Sequence, residues 1–203
     1  SDSRRPFVFS DSADAPSSGA PGDSTAFLSA LLEKGVQETS FLNIVDTPAV
    51  EAAIRVGVGK RSRFVIGATF SSEFYRSVTI DCYVKSISTG SFRNKGPGFH
   101  GVEFQMGRTA VIVSGGIHIV AMEKPVIQWD PELYRSQGLE PEKAKMVGVK
   151  SPAAFRAAYD SLAEEIIVLD IPGVCSPNLT AFPWKNITRP MYPFDEMGDV
   201  PPS

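Results

Sequence analysis

The opening third of the chain admits few folds. A short apolar run, Pro6-Phe7-Val8-Phe9, leads through residues 11–25 into the helix-like run Ala26-Phe27-Leu28-Ser29-Ala30-Leu31-Leu32. Phe27, Leu28, Leu31 and Leu32 share one helical face, and burying each contributes about 1.5–3 kcal/mol. Gly35 stops that helix. A strand pattern follows over 40–46. Thr47 and Pro48, read as N-cap and first helical residue, then open a second, Ala-rich helix that ends near Val56 and Gly57. The order strand, helix, strand, helix predicts a partly parallel sheet with helices on its faces.

The middle third predicts a different pairing. Strand patterns cover 63–70 and 77–85, and a polar, Gly-rich connection covers 88–99. Three short β candidates follow at 101–105, 109–113 and 117–121. The turn signals Met106-Gly107-Arg108 and Ser114-Gly115-Gly116 separate them. An antiparallel meander here makes the sheet mixed. Asp130 and Pro131 open a short helix that Gly138 ends. A buried strand is expected at 146–149. Ser151 then caps a helix running from Pro152 to about Ala163, with Phe155, Ala158, Tyr159 and Leu162 as its apolar stripe, and 165–170 is the last strand. The expected fold class is α/β, a mixed β-sheet with flanking helices. Prolines 172, 177, 183, 190, 193, 201 and 202 exclude regular structure beyond. The interleaved Leu179, Phe182, Trp184, Met191, Tyr192 and Phe194 are too apolar for free disorder. The expected organisation is a domain over 1–171 and an extended Pro/aromatic tail over 172–203, packed on the domain or on a partner, with residues 199–203 loose.

At 203 residues the chain suits one domain, or one domain with a tail. Its formal net charge of −3 argues against a general nucleic-acid affinity. No apolar run approaches the roughly 20 residues of a membrane span. The start, Ser1-Asp2-Ser3-Arg4-Arg5, lacks the apolar stretch of a secretory signal. It also lacks an initiator Met, which points to a processed piece or the end of a longer chain. Cys82 and Cys175 lie far apart, Cys82 in an apolar run, and no CxxC pair supports a zinc or redox motif. A reduced, cytoplasmic setting is the expectation.

Residues 11–25 form a long Gly/Pro/Ser loop between a strand and a helix, a layout that encloses ligands in α/β proteins. Its candidate binding residues are Asp11, Asp14, Gly19, Gly22, Asp23, Ser24 and Thr25. The loop offers an anion its amides, or a cation the carboxylates of Asp11, Asp14 and Asp23. The plainer alternative is that Asp23 or Ser24 caps the helix and Asp14 closes a turn. A second constellation is Lys150, Ser151 and Arg156. Lys150 ends a strand where α/β crevices open. With Arg156 and the amides following Ser151 it would hold a carboxylate such as a peptide terminus. Here the plainer alternative is a solvated Lys, a capping Ser, and an Arg paired with Asp160 or Glu164. His100 and His118 stand alone. No HExxH, GxSxG or phosphate-loop motif is present, so neither catalytic residues nor metal ligands are expected in this chain.

Several stretches, in order, resemble the C-terminal domain of the microcystinase C (MlrC) family of metallopeptidase-like proteins. They are Gly19-Ala20-Pro21-Gly22-Asp23-Ser24-Thr25 with the helix after it, Gln128-Trp129-Asp130-Pro131, and Val149-Lys150-Ser151-Pro152-Ala153-Ala154-Phe155-Arg156-Ala157. Asp170-Ile171-Pro172-Gly173 and Arg189-Pro190-Met191-Tyr192-Pro193-Phe194-Asp195 complete the set. The resemblance implies a zinc metallopeptidase or amide hydrolase whose N-terminal domain, on the same polypeptide but outside this chain, carries the zinc and the catalysis. This chain would shape the cleft for a peptide or small carboxylate substrate. The family pattern D-N-P-G-G-G reads Asp14-Ala15-Pro16-Ser17-Ser18-Gly19 here, and Ala154 stands where the pattern has His. These departures imply a divergent member with a changed substrate. The alternative is a stand-alone module for small anions or protein partners, without catalysis.

Overall fold

Both opening strand–helix pairs form. In the computed structural model, which describes residues 5–196, the chain runs β1 (Phe7–Ser10), α1 (Ala26–Glu33), β2 (Ser40–Val45), α2 (Thr47–Val56), β3 (Arg61–Ile66), β4 (Val78–Ser88), β5 (Ser91–Arg93), β6 (Glu103–Gln105), β7 (Thr109–Ser114), β8 (Ile117–Met122), α3 (Glu132–Arg135), β9 (Met146–Val149), α4 (Arg156–Tyr159) and β10 (Glu165–Val168). Eight strands make one mixed sheet in the order β10-β1-β9-β2-β8-β7-β4-β3. From β10 to β8 every neighbour is parallel; β8-β7, β7-β4 and β4-β3 are antiparallel.

Side-chain alternation gives the sheet two buried faces. In β2, Leu42 and Ile44 join Leu28 and Leu31 of α1 and Ala49, Val50 and Ala53 of α2. Phe41 and Val45 point the other way, onto Leu133 and Tyr134 of α3 and Phe155 and Tyr159 at α4. Because both faces are covered, β2 is buried along its whole length. Cys82 is one of the α2-side core residues and is fully buried.

Some sequence expectations are corrected. β6 does not pair with β7; it pairs with β5, a strand inside the stretch expected to be a polar connection. Phe92 and Phe104 stack across this small ribbon and bury it against the α3 side of the core. β3 stops at Ile66 instead of continuing to Phe70, because Gly67 and Ala68 take positive φ values of 75° and 54° and turn the chain away. The N-cap of α2 is Asp46, not Thr47. Its carboxylate lies one residue earlier and accepts the Ala49 amide at 2.9 Å. The helix expected over 152–163 shrinks to the single turn α4, with no side-chain cap. The predicted stripe is nonetheless inside, with Phe155, Tyr159 and Leu162 buried. Tertiary burial holds these side chains without a long helix, and so short a helix has little stability of its own.

Beyond β10 the chain is irregular. Segment 172–176 packs on the domain: the Tyr75 hydroxyl donates to the Pro172 carbonyl at 2.8 Å, and the Cys175 amide to the Ala13 carbonyl at 2.9 Å. From Pro177 most residues are exposed, Tyr192 at 78%. They hold to one another, with Trp184 edge-on to Phe182 and Phe194, and Arg189 forked onto Asp195. The stretch expected to be loose, 199–203, lies outside the described residues.

Candidate functional site

The parallel pairing sets the site. Ser10 of β1 lies opposite Val149 of β9, and the Asp11 amide extends that pairing to the Val149 carbonyl at 2.8 Å. The next residues, Asp11 and Lys150, are therefore neighbours at the carboxyl ends of adjacent strands. The Lys150 ammonium is buried, its side chain 7% exposed, and donates to Asp11 Oδ2 at 3.3 Å, Asp14 Oδ2 at 2.9 Å and the Ser24 carbonyl at 3.2 Å. An ammonium has three N–H groups, and each has an acceptor. Burial opposes its charge, but the two facing carboxylates outweigh burial and raise Lys150 above its ordinary value.

The loop is a frame built on buried carboxylates. Asp14 accepts the amides of Gly22 at 2.8 Å and Ser24 at 2.6 Å, and Asp11 Oδ1 accepts the Asp14 amide at 3.0 Å. The Gly22 carbonyl accepts the amide of Val45 at the end of β2. A Cβ on Gly22 would stand 2.9 Å from Val45 Cγ2, so only glycine permits this approach. Gly19, also at positive φ, closes the 3-10 turn Pro16–Ser18. Asp23 and Asp46 hold the loop after β3: Asp23 Oδ2 takes the amides of Phe70 and Ser71 at 2.6 and 3.0 Å, and Asp46 Oδ2 that of Gly67 at 2.6 Å. Thr25 Oγ1 donates to the Arg76 carbonyl. Burial pushes the Asp46 carboxyl up.

Most candidates thus come together, in roles other than the expected ones. Asp23 does not cap α1; its carboxylate serves Phe70 and Ser71, while Ser24 Oγ accepts the Ala26 amide at 3.2 Å. Asp14 binds amides eight and ten residues ahead instead of closing a local turn. Asp11 and Asp14 grip an ammonium, so they offer a cation no open seat. The amides of Gly22 and Ser24 are engaged, so they offer an anion none. Lys150 is neither solvated nor free for a substrate carboxylate. Ser151 caps no helix: its carbonyl accepts from Ser10 Oγ, and its hydroxyl is buried without a partner, as is that of Ser12. Arg156 stays apart, exposed and 3.9 Å from Asp160. The cavity beside Lys150, lined by Phe9, Phe27 and Asn43 among others, is about 20 Å³, room for about one water.

Sequence reasoning missed the partners behind Lys150. Gln128 Oε1 accepts the Lys150 amide at 2.8 Å and the Asn43 side-chain amide at 2.9 Å, while Gln128 Nε2 donates back to Asn43 Oδ1 at 2.7 Å. Asn43 also donates to the Tyr134 hydroxyl, which donates to the Gly148 carbonyl. The available signal was Gln128-Trp129-Asp130-Pro131 itself: Gln128 holds β9, and Asp130 holds residues 95 and 96. Replacing Gln128 with leucine leaves the Lys150 amide and both Asn43 groups short of partners. We expect a loss of about 1–3 kcal/mol, read from the urea midpoint; an unchanged midpoint would show the network to be dispensable.

Among the described residues no group of three or more His, Cys, Asp or Glu side chains could hold a metal ion, and none of the helices is long and apolar enough to cross a membrane. His118 lies edge-on to Phe41 and His100 accompanies the Lys95 carbonyl. The side chains here do not suit a resident zinc.

An eight-stranded mixed sheet with loops pinned at its carboxyl ends defines an α/β domain with a framed strand-end surface. The chain belongs to the MlrC C-terminus family, whose sequence model matches residues 9–186. Microcystinase C from a Sphingomonas species is 25% identical over 190 residues, which are 94% of this chain and 36% of that protein. A metallopeptidase-like protein from Mesorhizobium sp. BNC1 has the same fold, with a TM-score of 0.88 at 23% identity, over 98% of this chain and 40% of its own. The chain therefore spans well under half the length of these relatives.

Proposed function

We propose that this chain is the wall of a substrate cleft in an MlrC-like zinc metallopeptidase or amide hydrolase. The zinc and the catalytic base belong to an N-terminal domain of the same polypeptide, outside these residues. The observation that carries this reading is the frame at the strand ends. Asp11, Asp14, Asp23 and Asp46 are all buried, and each uses its carboxylate on backbone amides or on Lys150. Four buried carboxylates are costly to keep. What they achieve is to fix two loops, 11–25 and 67–77, at the edge where α/β proteins bind ligands. The loops position a peptide or small carboxylate, and Lys150 is their internal counter-ion. Residues 172–196 are a strap outside the folding unit, seated on the domain or on the larger part. The setting is cytoplasmic.

The test is hydrolysis of linear and cyclic peptides by the longest gene product containing this chain, with and without chelator. We expect chelator-sensitive cleavage by the longer product and none by the 203-residue chain. Cleavage by the 203-residue chain alone, or a longer product that binds no zinc, overturns the proposal.

A further inference from the structure

The cavity inside the strand-end frame is only about 20 Å³, but another place in the fold is far roomier. A cavity of about 550 Å³ opens between the loop after β5, α3 and the end of α4. Arg5 ahead of β1 and Leu162 ahead of β10 put it toward the amino ends of those strands, opposite the Lys150 cluster. Its size falls within the range of small-molecule sites.

The cavity is preformed. Asp130, 2% exposed, accepts the amides of Lys95 at 2.9 Å and Gly96 at 2.6 Å through Oδ2, and that of Glu132 at 2.9 Å through Oδ1. This fixes the loop that forms one wall. A Cβ on Gly96 would stand 2.8 Å from Ala158 Cβ, so the loop sits directly on α4.

Its charged lining favours an anion. The cations are Arg5, Lys95 and Arg135, and the acids are Asp130 and Glu142. Asp130 is engaged by three main-chain amides, and Glu142 accepts from Arg135 at 2.8 Å. Lys95 gives one bond, to Glu132 at 3.0 Å, and two of its three N–H groups remain. Arg135 donates to Glu140, Glu132 and Glu142, which leaves two of its five N–H groups. Glu132 and Glu140, just outside the lining, take the other bonds of these cations, and the remaining N–H groups of Lys95 and Arg135 are the donors the cavity offers. Pro97, Ala157 and Leu162 supply apolar wall.

We propose that this cavity binds a small organic anion, a carboxylate or a phosphate ester, whose charged group takes the free donors of Lys95 and Arg135, with Arg5 as a third cation. The site is separate from the strand-end frame and does not depend on the cleft reading.

The test is amide NMR of the 203-residue chain, titrated separately with inorganic phosphate and with succinate at constant ionic strength. We expect saturable shifts at residues 95–97 and 157–162 with at least one of them; phosphate alone assigns a phosphate ester and succinate alone a carboxylate. Ala157→Phe, at an exposed position, should fill the cavity and abolish the shifts, and a dispersed spectrum will show that it folds. Lys95→Gln should weaken binding about tenfold. No saturable shift with either anion up to about 10 mM overturns the proposal. So do shifts that persist in Ala157→Phe, or that fall on residues 11–25.

Discussion

Replacing Lys150 with methionine is expected to cost about 3–5 kcal/mol of folding stability, because it strands two buried carboxylates. Asp14 is fully buried and Asp11 nearly so. Each keeps backbone amides in the variant, but the neutralising charge is gone. The loss should depend on pH, with a sign that identifies its cause. Burial pushes the Asp14 carboxyl above its ordinary value even with Lys150 beside it. Without the ammonium that push has less opposing it, so Asp14 protonates more readily and the deficit narrows as pH falls. At the alkaline end the argument reverses. The folded-state value of Lys150 is raised, so its contribution is complete below its unfolded value of about 10.4. It is lost as pH rises through the folded value, and there wild type approaches the variant. Urea unfolding of both proteins across pH measures this. A deficit below about 1 kcal/mol that ignores pH would place the pair among interactions that contribute little.

Gly67→Ala is expected to cost about 2–5 kcal/mol, and Gly59→Ala only about 1–2 kcal/mol. Both glycines have positive φ, 75° and 81°, so both variants carry the same left-handed backbone penalty. They differ in what the new methyl group meets. At Gly59 nothing lies within 4 Å. At Gly67 the Cβ would stand 2.3 Å from Thr25 Cγ2, 2.7 Å from Ile44 Cδ1 and 3.0 Å from the Asp23 carbonyl oxygen. Thr25 and Asp23 belong to the first loop and Ile44 to the core of β2, so the chain cannot yield at one point alone. Relief would pull the Gly67 amide from Asp46 and the Phe70 and Ser71 amides from Asp23. Hydrogen exchange at Phe70 and Ser71 should rise in Gly67→Ala and stay unchanged in Gly59→Ala. Equal exchange in the two variants would show that the loops are not held by this contact.

The periodic parts of the fold were legible because periodicity is a local property. Alternation marked β4, short strand-like runs marked β2, β7 and β8, and the Leu28/Leu31 face marked α1, without knowledge of any partner. Two kinds of error came from partners. β5 was hidden because a three-residue strand has no pattern of its own; Phe92 becomes core only once Phe104 lies across from it. The helix expected over 152–163 was overextended because its apolar stripe was real, while burial of Phe155 and Tyr159 needs only one helical turn.

The site divides in the same way. Asp11, Asp14, Asp23 and Lys150 are picked out by residue type and by their position at strand ends, and the structure gathers all four at one edge of the sheet. Their roles were not legible, since a carboxylate's role depends on what faces it. Asp11 and Lys150 are 139 residues apart in sequence and 3.3 Å apart in space. The sequence by itself determined the longer strands and the first two helices, and that Asp- and Gly-rich chain lies at their ends, because φ preference and side-chain period act within a few residues. Only the tertiary structure decided that those acids bind an ammonium and amides instead of a ligand, because hydrogen-bond partnership is settled by neighbours that strand order, not sequence distance, brings together.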